Sequence, residues 1–137
     1  MSCGVDDSLL VQAGVRYPGV RFYEGLRDEL LVRLAQDCAN LLAQRGVVGY
    51  WSDGHPNWEL RHSEIRNKLS MTGVEVSAFS WPRALEIPTL MTMRGFYYDW
   101  ERSEGHWIVV STSHAKYGDG LARDPRGIWY GVIIVAD

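Results

Sequence analysis

The stretch from Trp100 to Ala122, WERSEGHWIVVSTSHAKYGDGLA, decides how the chain is read, because helical spacing gives way there to something else. Just before it, Leu90, Met93, Tyr97 and Trp100 fall on one helical face behind Pro88, a residue suited to a first turn. That helix is expected to end near Ser103 to Gly105, with Gly105 letting the chain turn. Beyond it, Trp107 to Ser111 reads as extended and Tyr117 to Ala122 as a glycine-rich connection. RDPRG reads as a turn, and IWYGVIIVAD as a strand apolar on both faces, hence central in a sheet.

Working outward to the N-terminus, VEVSAF alternates apolar and polar residues as a strand does. HSEIRNKLSMTG carries Ile65 and Leu69 four apart and predicts a short helix stopped by Gly73. YWSDGHPNWE is turn-rich. The longest helix is expected over Tyr23 to Gln44, on Leu26, Leu30, Leu34, Cys38, Leu41 and Leu42, with Leu31 and Ala35 widening the stripe and Gly46 ending it. DDSLLVQAG, in an N-terminal segment 1–20, reads as a short helix capped by Asp6 or Asp7 and ended by Gly14. The sum is a single α/β domain over residues 1–137, with helices early and an antiparallel sheet late.

Composition narrows the function classes. With 46% hydrophobic and 23% charged residues among 137, the chain is ordinary globular protein. Its net charge of −3 comes with basic residues scattered singly, which argues against a nucleic-acid partner. No apolar run has bilayer length, so no membrane span is expected. MSCGVDDSLL lacks a basic start and an apolar core, so no signal peptide is read there. Cys3 and Cys38 form no metal-like cluster. A disulfide between them stays open, and the helical setting of Cys38 favours a buried thiol.

The order of elements, together with WERSEGH (Trp100–His106), YGDGLA (Tyr117–Ala122), KLSMTGV (Lys68–Val74), LAQDCANLLA (Leu34–Ala43), His55 and GIWYGVIIV (Gly127–Val135), resembles the CAP superfamily of cysteine-rich secretory, antigen 5 and pathogenesis-related proteins. Trp-x-x-Ser-x-Gly-His is the most specific of these pieces. The resemblance implies a three-layer α-β-α sandwich whose cleft is lined by two histidines and usually two acidic residues. His106 matches the second histidine. His55 and His62 are both candidates for the first, and His55 has the better spacing. Where the family has Gly-Glu-Asn-Ile this chain offers SAFSWP, so the cleft glutamate is missing there and Ser80 is the nearest polar stand-in. The second acid falls near Ser103, beside Glu101 and Glu104.

The implied ligand-binding set is therefore His55, His106, Ser80 and Glu104. A zinc ion would fall to His55 and His106, two ligands where a tetrahedral site wants three or four, so no cofactor is expected. Ser111, Ser113 and Asp119 make no triad signature, because a triad is set by geometry and not by sequence neighbours. His106 is expected to fix a helix-to-sheet junction at the cleft wall, and His62 and His114 to be exposed. Trp100 and Trp129 read as core, while Trp51 and Trp58 flank the His55 loop and could rim a ligand site. These features favour a non-enzymatic binding domain for a glycan, lipid or peptide. Alternatives are a structural subunit of a bacteriophage virion, packed against other subunits, and a hydrolase acting on peptide or cell-wall material. By resemblance the place of action is extracellular or on a virion.

Overall fold

A computed structural model describes residues 8–46, 54–80 and 89–137. Readings that involve Cys3, Asp6, Asp7, Trp51 and Pro88 lie outside them. The centre of the fold is the last strand, β4 (Trp129–Ala136), as its two-sided apolar pattern predicts. Tyr130, Val132, Ile134 and Ala136 face one core, and Ile133 and Val135 the other. This is the two-residue alternation of a strand buried on both sides. Burying one such isoleucine contributes about 1.5–3 kcal/mol.

β4 pairs antiparallel with β2 (Gly73–Phe79) on one side and with β3 (Lys116–Arg123) on the other. The sheet is not wholly antiparallel as expected. A two-residue strand, β1 (Leu26–Arg27), pairs parallel with the outer edge of β3, giving the order β1-β3-β4-β2 and a mixed sheet. Two helices, α2 (Glu29–Arg45) and α3 (Trp58–Leu69), cover one face. The other face carries α1 (Leu9–Val15), α4 (Leu90–Glu101) and α5 (Glu104–Val110). Helices lie on both sides of one sheet, in a single mixed α/β domain with helices early and strands late.

Several local expectations need correcting. The long helix begins at Glu29, not Tyr23, because Leu26 and Arg27 belong to β1 and Asp28 caps the helix by accepting from the Leu30 and Leu31 amides. Its buried stripe is Leu31, Leu34, Ala35, Cys38, Ala39, Leu42 and Ala43, whereas Leu26 is 71% exposed. Gly46 does end it, in the left-handed conformation. Ser8 caps α1, its hydroxyl oxygen accepting from the Val11 amide. α1 runs one residue past Gly14. α3 stops at Ser70, and Gly73 instead starts β2, where a Cβ would press on Ile65.

The opening stretch is corrected twice. Trp107 to Val110 is helix, part of α5, with Val109 and Val110 buried and Ile108 exposed. A four-residue apolar run fits a strand or a helix equally well by composition. Gly105 therefore sits inside a helix rather than at a turn. The Gly-Asp-Gly segment is not a connection but the middle of β3. A Cβ on Gly118 would run into the backbone of Leu31 and Val32, and one on Gly120 into that of Ala35 and Gln36. The glycines let the backbone of α2 touch the sheet.

Candidate functional site

The chemistry gathers where α3, β2 and the start of α5 come together. Glu75, on β2, points into the α2–α3 side and is buried. Its carboxylate takes two parallel hydrogen bonds from Arg61 of α3, Nε to Oε1 and Nη2 to Oε2, both at 2.7 Å. Arg61 is itself buried, with its remaining Nη1 donating to the Pro56 carbonyl and its guanidinium 5.8 Å above the Trp58 ring. A bidentate pair with every fork position occupied is the form in which two buried charges stabilise each other.

His55 completes this centre. Its Nδ1 lies 2.7 Å from Glu75 Oε2. A carboxylate oxygen already held by a guanidinium is an acceptor, so Nδ1 carries the proton. Cys38, a free buried thiol on α2, lies within 3.6 Å of the same oxygen and donates to it. Burial, and then the Glu75 charge, push that thiol far above its ordinary range, so it is no nucleophile at neutral pH. The loop holding His55 is seated closely: a Cβ on Gly54 would lie 2.6 Å from Ser77 Oγ. The Ser77 carbonyl in turn accepts from Trp100 Nε1 of α4 at 3.0 Å.

α4 leads directly into α5, whose first turn carries His106. The Ser103 hydroxyl, at the N-cap position, does not cap the backbone but bonds His106 Nδ1 at 2.8 Å. Burial, and then the nearby charge of His55, lower the His106 pKa, so its ring is neutral at pH 7. His55 and His106, far apart in the chain, thus lie within electrostatic reach of each other.

The other implied residues do not join them. Ser80 stands at the end of β2, where its hydroxyl accepts from the Trp129 amide at 2.9 Å and its own amide donates to the Trp129 carbonyl, extending the β2–β4 pairing. Glu104 is exposed in the first turn of α5. His62 is half-buried rather than exposed: it stacks on Trp58 with ring centroids 5.4 Å apart, and its Nε2 is buried with no hydrogen-bond partner among the described residues. His114 is also half-buried, held at both ring nitrogens. Trp100 is core, and Trp129 is half-buried against the same cluster.

Sequence reasoning missed Glu75 and Arg61. The carboxylate it sought after β2 comes from within β2 instead, at a position that alternation marks only as polar. Arg61 four residues before Ile65, on the buried stripe of α3, was the available signal. Among the described residues no group of three or more His, Cys, Asp and Glu side chains is placed to hold a metal ion. With both Glu75 oxygens bound by Arg61, these side chains do not fit a zinc site.

A concavity lies between α1 and α4. It has a volume of about 200 Å³ and is lined by Ala13, Tyr17, Leu90 and Met91, with Arg16 and Arg94. Arg94 stands 5.7 Å from the Tyr17 ring centroid, and the Tyr17 hydroxyl donates to Glu101. Burial and that hydrogen bond push the Tyr17 pKa up to about 12.

The layered α/β arrangement defines the class of fold. Among solved structures it is similar to an outer surface protein from Borrelia burgdorferi, with a TM-score of 0.63 over 94% of this chain and 89% of that one. The two sequences are 14% identical, so the likeness is one of fold. A scan against family models and a search of curated proteins gave no match. No helix among the described residues is long and apolar enough to cross a membrane.

Proposed function

We propose that this chain is a non-enzymatic binding domain of the CAP type, which holds a glycan, lipid or peptide ligand where the His55 and His106 rings approach each other. The observation that carries this reading is the Arg61–Glu75–His55 chain, which fixes one imidazole in position within electrostatic reach of the second. Preorganised polar groups recognise a ligand at low entropic cost. The carboxylate behind His55 has its charge matched by Arg61, which weakens it as a driver of base catalysis and favours binding over turnover. The fold likeness to an outer surface protein supports action outside a cell.

The test is a titration of isotope-labelled protein with chitotetraose, hexadecanoate and an alanine tetrapeptide. One of them is expected to move the His55 and His106 ring signals together, with affinity falling at least about tenfold, some 1.4 kcal/mol, in the His55→Ala/His106→Ala protein. Unchanged affinity in the double variant, or turnover of the ligand, would contradict the reading.

The concavity between α1 and α4 favours a second reading, in which hexadecanoate binds there. An apolar trough beside two guanidiniums suits an acyl chain with an anionic head. Replacing Arg16 and Arg94 with glutamate would then abolish binding, and the double histidine variant would keep it.

A further inference from the structure

We propose that His114 is a proton-operated clasp that holds the C-terminal end of α5 to the end of β4. Both nitrogens of its ring face acceptors. Nδ1 lies 2.7 Å from Asp137 Oδ2, and Nε2 lies 2.8 Å from the Val109 carbonyl oxygen and 3.0 Å from Thr112 Oγ1. The Thr112 hydroxyl spends its proton on the Ile108 carbonyl at 2.7 Å, so towards the ring its oxygen can only accept. Asp137 is a carboxylate: the hydrogen bond from His114 holds it below the usual range, and its side chain is 62% exposed. Each ring nitrogen therefore needs a hydrogen, and the ring that satisfies this geometry is the imidazolium.

The placement suits a cation. Val109 and Ile108 offer carbonyls from the last turn of α5, the negative end of a helix. The second Asp137 oxygen accepts from the Ala115 amide at 2.9 Å, and the Asp137 backbone pairs in both directions with Thr72. One ring thus joins α5, the link to β3, and the ends of β4 and β2. On the elements around it, Lys116 pairs with Asp28 and Arg21 with Glu24, each at 3.1 Å, and none of these is a hydrogen-bond partner of the ring. Loss of the proton turns one nitrogen into a lone pair facing an acceptor, and the clasp opens there. The clasp does not depend on the ligand reading above. Only its consequence for the site does, through His106 at the opposite end of α5.

The test needs no ligand. Ring carbon and nitrogen signals of His114 are followed in the intact protein from mildly acidic to mildly alkaline pH. Exchange protection of the Ser111 amide, which donates to the Trp107 carbonyl, is measured alongside in wild type and His114→Gln. The expected result is a wild-type ring that carries both N–H groups, as its two acceptors require. Ser111 protection should fall at least about tenfold as the proton leaves, and stay low at all pH values in the glutamine variant. Asp137→Asn should fold and lose the imidazolium signature. A single neutral tautomer in wild type at pH 7 would overturn the proposal. So would protection that follows the same pH course in wild type and His114→Gln.

Discussion

The two faces of the sheet are packed by different means. On the α2–α3 face the buried stripe of α2 includes the small residues Ala35, Cys38, Ala39 and Ala43, and its backbone at Leu31–Val32 and Ala35–Gln36 meets Gly118 and Gly120 on β3. Backbone touches backbone there, and a buried ion pair sits in the same layer. On the α1–α4–α5 face the filling is aromatic: Phe22 stacks on Tyr97 at 6.2 Å, and Tyr97 meets Trp100 edge-on at 5.2 Å. Where backbone meets backbone, at Gly118 and Gly120, no flexible side chain can yield, so that part of the face can fix a nearby charged centre in one geometry. An aromatic face gains its stability from area, and gives way locally when one group is changed.

The sharpest way to break the comparison is Arg61→Met. It leaves the Glu75 carboxylate buried without its guanidinium and is expected to cost about 3–5 kcal/mol in urea unfolding. Next comes Gly118→Ala, whose Cβ would meet the α2 backbone with nothing flexible to move. A loss of about 2–3 kcal/mol is expected. On the aromatic face Tyr97→Phe removes only the hydroxyl that donates to the Leu10 carbonyl at 2.6 Å, with an expected loss of about 1–2 kcal/mol. Gly95→Ala should carry the opposite sign. Among the described residues nothing lies within 4 Å of the new methyl, and an alanine inside α4 gains about 0.5–1 kcal/mol.

The smallest effect is one of pH. Because the folded state lowers the His106 pKa, the unfolded chain binds more protons as pH falls below about 6.5, and stability declines from there down through the folded value. His106→Gln removes that acid-side slope, which matched urea titrations at neutral and acidic pH would detect. Since His106 is partly exposed, the effect is modest.

What was legible in the sequence followed periodicity. The α2 stripe, the α4 stripe and the two-sided β4 each repeat with one period over eight or more residues; α4 and β4 formed where their patterns lay, and α2 formed over its pattern from Glu29 onward. Failures came where pattern was short or where one residue answered to something distant. Trp107 to Val110 is too brief to show a period. Gly118 and Gly120 look like loop glycines until a helix from far earlier in the chain, at Leu31 to Gln36, is laid on them. The site was half legible. His55 and His106 were named from motif spacing, but Glu75 and Arg61 meet only across two elements, and nothing local marks a buried charge as paired.

The most direct test of the account is the titration of the His106 ring in wild type and in His55→Ala, read by its own carbon-bound proton signals. Removing His55 is expected to raise the His106 midpoint, because the electrostatic influence of the neighbouring ring is gone while the burial of the His106 ring persists. A midpoint that stays where it was, in a variant that is still folded, would mean that the two rings do not share a site.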